Sequence, residues 1–263
     1  GEFIKRSDLF QNYYFNVGDK TDFNIYSKLD YQLNDKLNLY ADLQFRDLTY
    51  TITGIDSDLS TLNINDKLQF FNPKFGLNYQ FNEVSGTYLS YAKAHKEPNR
   101  SDYRSVATLP KPESLDDFEW GYRYAKKTVQ FNANLYYMRY KNQLVLTGAI
   151  DDVGNFIRAN SGKSYRFGLE IDAQVKLSKA ISWQPNLALS SNKNIDFYAT
   201  INGTLLNLGK TDLAYSPNIV AGNVFVYQPN ESIQLSLLSK YVDQQYLGNL
   251  KSNVSTNDLL NSY

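Results

Sequence analysis

The stretch Tyr165-Arg166-Phe167-Gly168-Leu169-Glu170-Ile171-Asp172-Ala173-Gln174-Val175-Lys176-Leu177 alternates at every step. Tyr165, Phe167, Leu169, Ile171, Ala173, Val175 and Leu177 fall on one side of an extended chain. Arg166, Gly168, Glu170, Asp172, Gln174 and Lys176 fall on the other. A period of two belongs to a strand, not to a helix. At about 3.3 Å per residue and a tilt of about 45°, a strand of this length rises roughly 30 Å, enough to cross an apolar band of about 25 Å. Strands of soluble proteins are usually about 5–6 residues long. A single amphipathic strand could still belong to any antiparallel sheet with one wet face, so repetition has to decide.

The pattern does repeat. Ser7 to Phe15 reads as a strand, followed by a polar turn at Val17-Gly18-Asp19-Lys20. Phe23, Ile25, Leu29, Tyr31 and Leu33 then alternate with polar residues up to a tight turn at Asn34-Asp35-Lys36, and Leu37, Leu39, Ala41, Leu43 and Phe45 lead away from it. This is a long hairpin. A second turns at Asn82 to Ser85, a third at Ala125-Lys126-Lys127-Thr128, a fourth at Ser178-Lys179-Ala180 and a fifth at Gln228-Pro229-Asn230-Glu231. Successive turns are roughly 50 residues apart, and long polar connections lie between them, near 54–66, 95–113, 141–163, 192–213 and 243–257.

Composition bounds the class. Lys+Arg and Asp+Glu are equal at 27 each, so no basic excess points to nucleic acid, and no such partner is expected. Without Cys there is neither a disulfide framework nor a thiolate metal site. The 22 Tyr and 15 Phe, in a chain of mean hydropathy −0.48, suit a surface with one apolar and one wet side, as at a membrane interface. No apolar run approaches the roughly 18 residues of a transmembrane helix.

Short turns alternating with long loops are the mark of a transmembrane β-barrel. The expected fold is all-β: a long antiparallel up-and-down meander. Rivals are a β-propeller, a soluble β-sandwich that binds carbohydrate through its aromatics, and a closed barrel of twelve strands. A propeller blade needs four short strands per period, whereas each period here holds two long ones. About eleven strands can be counted, with Asn257–Tyr263 the start of another, so the chain is expected to stop inside a barrel.

Lys111-Pro112-Glu113-Ser114-Leu115-Asp116-Asp117-Phe118-Glu119-Trp120-Gly121-Tyr122 opens the third hairpin. It resembles the Lys-Pro-Glu-Ser and Glu-x-Gly-Tyr stretch of TonB-dependent outer-membrane receptors. The segment Tyr91 to Pro98, the strand Asn134 to Gln143 and Gly168-Leu169-Glu170 are similar to further segments of that family. The abundance of tyrosine is similar to receptors of the Bacteroidetes. The resemblance covers 90–177 best. It implies a 22-stranded barrel filled by an N-terminal plug, importing a scarce nutrient: siderophore-bound iron, haem, cobalamin or a glycan. The implied partners are outer-membrane lipid, that small ligand, and the TonB complex through a region N-terminal to this chain. On this reading 1–263 is a partial barrel domain in the outer membrane, without the plug and the closing strands. No cofactor is implied.

His95 is the sole imidazole, set at the outer end of a strand ahead of a loop that holds Arg100, Asp102, Tyr103 and Arg104. His95, Arg100, Tyr103 and Arg104 are the candidate ligand contacts, the two arginines suiting an anionic ligand. The competing reading is a solvated loop. Glu113, Glu119 and Glu170 could face cations in a lumen, yet inward polar residues are what any large barrel needs. Catalysis is not expected, because His95 is the sole imidazole and nothing fixes its geometry against Ser101, six residues away in a loop. No metal-ligand spacing occurs. Trp120, Tyr122 and Tyr124 are expected in an aromatic girdle, with Glu119, Gly121 and Arg123 facing inward.

Overall fold

The computed structural model describes residues 14–56, 59–104, 109–150, 156–160, 162–201, 204–249 and 259–262. Strands β1 (Phe15–Asn34), β2 (Leu37–Ile55), β3 (Thr61–Asn82) and β4 (Ser85–Lys96) precede a one-turn helix, α1 (Arg100–Arg104). β5 (Glu113–Ala125), β6 (Val129–Lys141), β7 (Leu144–Ile150), β8 (Phe156–Asn160), β9 (Lys163–Lys176) and β10 (Ile181–Ile201) come next. They are followed by β11 (Thr204–Asp212), β12 (Ile219–Asn230), β13 (Ile233–Val242), β14 (Gln245–Tyr246) and β15 (Leu259–Leu260). The main sheet runs β1-β2-β3-β4-β5-β6-β9-β10-β12-β13, every pair antiparallel and every neighbour the next long strand in sequence. Among the described residues no second sheet packs on either face, and the ladder ends open at β1 and β13.

The five short turns lie at one end of this ladder, and local side-chain chemistry makes four of them. Asn34 Oδ1 accepts from the backbone N–H groups of Lys36 and Leu37, each at 2.9 Å. Asn230 does the same for Ser232 and Ile233 at 3.0 Å, Asn82 for Val84 at 3.0 Å, and Ser178 Oγ for Ala180 and Ile181 at 3.1 Å. Such side chains mimic a backbone turn and reverse the chain within two residues.

Register carries the alternation of single strands across the whole sheet. One continuous row of laterally paired residues is Tyr31, Leu39, Leu77, Leu89, Trp120, Leu135, Leu169, Leu189 and Ile219. The row one residue away is Asp30, Tyr40, Gly76, Ser90, Glu119, Tyr136, Gly168 and Ser190. One step along the strand thus moves from an apolar face to a polar one, and a slip of one residue anywhere would mix them. On the apolar face large side chains stand open, with Trp120 52% and Phe167 46% exposed.

Tyrosines of the polar face lie flat over glycines on the next strand. Tyr40 covers Gly76, Tyr88 covers Gly121 and Tyr136 covers Gly168, each pair directly opposite in the ladder. A Cβ on any of these glycines would come closer than 3.0 Å to the tyrosine side chain. The missing Cβ makes room for a ring lying against the backbone, a device that also shields glycine in a sheet.

Several sequence expectations change at the opposite end. Val17 to Lys20 are not a turn but part of β1, paired continuously with β2; residues 7–13 lie outside the described part. The segment 54–66 is mostly strand: β2 and β3 remain paired from Leu37–Tyr79 out to Ile55–Thr61. Its polar residues suggest a loop, but Leu62 and Ile64 alternate with them and pack with Ile52, Tyr103 and Tyr50. The 141–163 connection contains the β7–β8 hairpin, and in 192–213 β10 continues and pairs with β11. β12 begins at Ile219 instead of Tyr215, which takes a left-handed φ of 52°. The buried clusters of the described residues sit in these extensions, not between sheets.

Candidate functional site

The polar face and the loops at the long-loop end meet around β4 and α1. Lateral pairing of β3 with β4 ends at Lys74–Ala92, and from there the end of β4 crosses the polar side of β3. His95 consequently stacks on Phe70, with centroids 5.2 Å apart and rings 4° from parallel, and its Nδ1 lies 2.8 Å from Asn72 Oδ1. Asn72 donates to Gln44 at 2.9 Å and Gln44 to Asn24 at 3.2 Å, a polar chain running from β4 to β1.

Beside it, Glu97 accepts from Arg46 at 2.8 and 3.0 Å and from Lys20 at 2.6 Å, while Arg46 Nε donates to Asp22 at 3.0 Å. A planar guanidinium with donors in a fork can hold two carboxylates at once. Burial alone would raise the Glu97 carboxyl, but the hydrogen bonds and charges of Arg46 and Lys20 outweigh it and hold the group at about 2. A carboxylate depressed in the docked loop contributes to docking above its free value near 4.5, and that contribution is lost as pH falls towards 2. A spin label at Asn99 in the full-length protein should therefore gain mobility between about pH 4.5 and 2. Glu97→Gln should be mobile already at pH 7; a label indifferent to both pH and variant would refute this clamp.

α1 is held by its own residues. Asp102 Oδ2 accepts from Asn99 N–H at 2.8 Å, and the Tyr103 hydroxyl donates to Asp66 at 2.7 Å. Tyr103 is 4% exposed with its ring 5.3 Å from Tyr50, and burial together with Asp66 pushes its phenol well above the usual range. Tyr103 thus packs under the loop with its hydroxyl committed to Asp66. Arg100 is exposed and has no ion-pair partner among the described residues. It lines a cleft of about 410 Å³ with Lys20, Tyr50, Lys96, Glu97 and Tyr103. Arg104 ends α1, and its side chain lies outside the described part.

The Lys111–Tyr122 segment ties loops and strands together. Asn160 on β8 accepts from Lys111 N–H and donates to Lys111 C=O, both at 2.8 Å, and donates to Asn142 C=O at 2.7 Å. Glu113, 9% exposed, accepts from the Leu144 N–H at 2.8 Å. Pro112 precedes β5, and Ser114 pairs with His95 in the ladder. Glu119 is on the polar row and Gly121 lies under Tyr88. Tyr122 is on the apolar face, its ring 6.4 Å from Phe81 and 6.5 Å from Phe131. Trp120 shares that face and donates through Nε1 to Thr87 at 2.9 Å.

Sequence reading brought His95 and Arg100 to the right end of the sheet, but it missed Asp22, Arg46, Glu97 and Lys20. Alternation puts Asp22 and Arg46 on the polar face, yet only the register and the crossing of β4 bring them to Glu97. No three His, Asp or Glu among the described residues are placed to hold a metal. Ser101 donates to Asn99 at 2.5 Å, while His95 is engaged with Phe70 and Asn72.

A family model described as TonB dependent receptor-like, beta-barrel matches residues 4–263. No curated protein sequence matches the chain. Among solved structures it is similar to the siderophore receptor PiuA from Acinetobacter baumannii, with a TM-score of 0.74 and 15% identity over 94% of this chain and 36% of that one. The closed form of the ferric-catecholate import receptor Fiu from E. coli K12 gives 0.70 and 16%, over 94% and 37%. The copper transporter OprC gives 0.71 and 14%, over 93% and 36%. The chain spans little more than a third of the length of these structures.

Proposed function

Since the chain belongs to the TonB dependent receptor-like β-barrel family, transport receptors and not enzymes, we propose that it is part of the wall of an outer-membrane receptor importing a scarce nutrient. The observation that carries this is the family match over 4–263, on a sheet whose central rows divide by register into an apolar and a polar face. In this reading the wall continues to a 22-stranded barrel around a plug, with short turns towards the periplasm, long loops outside, and TonB supplying the energy through a region N-terminal to this chain. Of siderophore-bound iron, haem, cobalamin and glycans, we favour an anionic metal chelate. The solved neighbours named for siderophore, iron and copper uptake support it, and so does the cleft where Arg100 and Lys96 are exposed beside Tyr50.

The test is growth of a strain whose full-length receptor gene is deleted, supplied with ferric siderophores, haem, cobalamin or glycans as limiting nutrient. Growth should fail on one metal chelate and return with the wild-type gene. Arg100→Ala with Lys96→Ala should weaken binding of that chelate by about tenfold, as loss of charge-assisted contacts does. A defect confined to a glycan would overturn the chelate assignment, and no defect on any nutrient would overturn import.

A further inference from the structure

The outward rim of the apolar face carries a cation cluster that neither the barrel fold nor ligand import requires. At the long-loop end one lateral row reads Lys93, Asp116, Arg139, Tyr165, Lys193 and Asp212. It shares the face of Phe118, Tyr137 and Phe167, since the Tyr137 ring lies 6.3 Å from Tyr165 and 6.5 Å from Phe167. Lys93 is ion-paired with Asp116 at 3.0 Å, and Lys193 with Asp212. Arg139 stays exposed and unpaired among the described residues.

Two residues further out, Lys141 stands directly opposite Lys163, both exposed and neither ion-paired among the described residues. Like charges directly opposite in a ladder repel, with Cβ atoms about 5 Å apart. Lys210 adds a fourth cation, its ammonium 5.6 Å from the centre of the Tyr165 ring. Just inward of this cluster the apolar face forms a groove of about 520 Å³, lined by Leu89, Phe118, Trp120, Leu135, Tyr137 and Phe167.

We propose that Arg139, Lys141, Lys163 and Lys210 bind the phosphate of an outer-leaflet lipid whose acyl chain lies in the adjoining groove. A bridging anion relieves the Lys141–Lys163 repulsion, and basic residues at a membrane surface attract phosphorylated head groups. The cations are continuous with an apolar groove on the same face, so the occupant has to be amphiphilic; a free phosphate would leave the groove empty. This rests on the placement of the barrel in the outer membrane and not on which nutrient is imported.

The test uses the purified full-length receptor in non-ionic detergent, titrated with phosphorylated lipid A and with its dephosphorylated form, bound lipid being counted by native mass spectrometry. Wild type should prefer the phosphorylated form by about tenfold or more. Lys141→Gln with Lys163→Gln should abolish the preference, and the two Lys→Arg changes should keep it. Equal affinity of wild type for both lipids, or a preference that survives in the Gln variant, would overturn the proposal. Displacement of the lipid by millimolar inorganic phosphate would show an ion site and overturn the lipid assignment. If the Gln variant fails to assemble, wild type and the Arg variant decide between these outcomes.

Discussion

Arginine at Ile171 is expected to lower barrel stability by about 2–4 kcal/mol, while arginine at the neighbouring Asp172 is expected to change it little. Ile171 lies between Ala133 and Leu187 in the ladder, on the row pattern that faces lipid, near the middle of β9. A guanidinium there must either enter hydrocarbon or drag water and head groups inward. Asp172 lies between Asn132 and Asn186 on the polar face and accepts from Asn132 at 2.8 Å. Arginine at that position loses one exposed hydrogen bond and stays in water. Urea unfolding of the full-length receptor in lipid vesicles, read by the heat-modifiable band, measures both. Equal losses at the two positions would refute the assignment of faces.

A branched residue at Gly121 should have the second largest effect, about 1–3 kcal/mol or more, because it forces Tyr88 off the strand it covers. The ring has much to lose. Its hydroxyl donates to Asn134 at 3.0 Å and its face takes the Arg123 guanidinium 4.9 Å from the centroid. Gly121→Val is therefore expected to behave as an overpacking change whose cost falls sharply once Tyr88 is Ala. The coupling in a double-mutant cycle of Tyr88→Ala and Gly121→Val should amount to about 0.5–3 kcal/mol. Strictly additive effects would show that the contact between ring and glycine contributes nothing, and that Gly121 serves only as a strand residue.

The same two positions show how legibility divides. Gly121 stood out in the sequence as part of Glu119-Trp120-Gly121-Tyr122, but its reason, a tyrosine on the preceding strand, lies across the β4–β5 pairing. Tyr88 carries no local mark. Conversely, the turns at Asn34, Asn82, Ser178 and Asn230 were readable because each is closed by hydrogen bonds within three residues. Period-two alternation was readable because it is a property of one strand at a time.

By itself, then, the sequence determined the central parts of the long strands, their two faces, the tight turns and through them the up-and-down order, all of which are local in chain distance. The polarity of 54–66 looks like that of a loop, yet the segment is strand because Leu62 and Ile64 are buried against Ile52 and Tyr103. The tertiary structure alone decided that Tyr103 is packed away, that Arg46 joins Asp22 to Glu97, and that Lys141 faces Lys163. Each of these pairs residues from strands or loops that meet only when register is set. Register is a sum over many weak lateral pairs, so it has no signature at any single position of the chain.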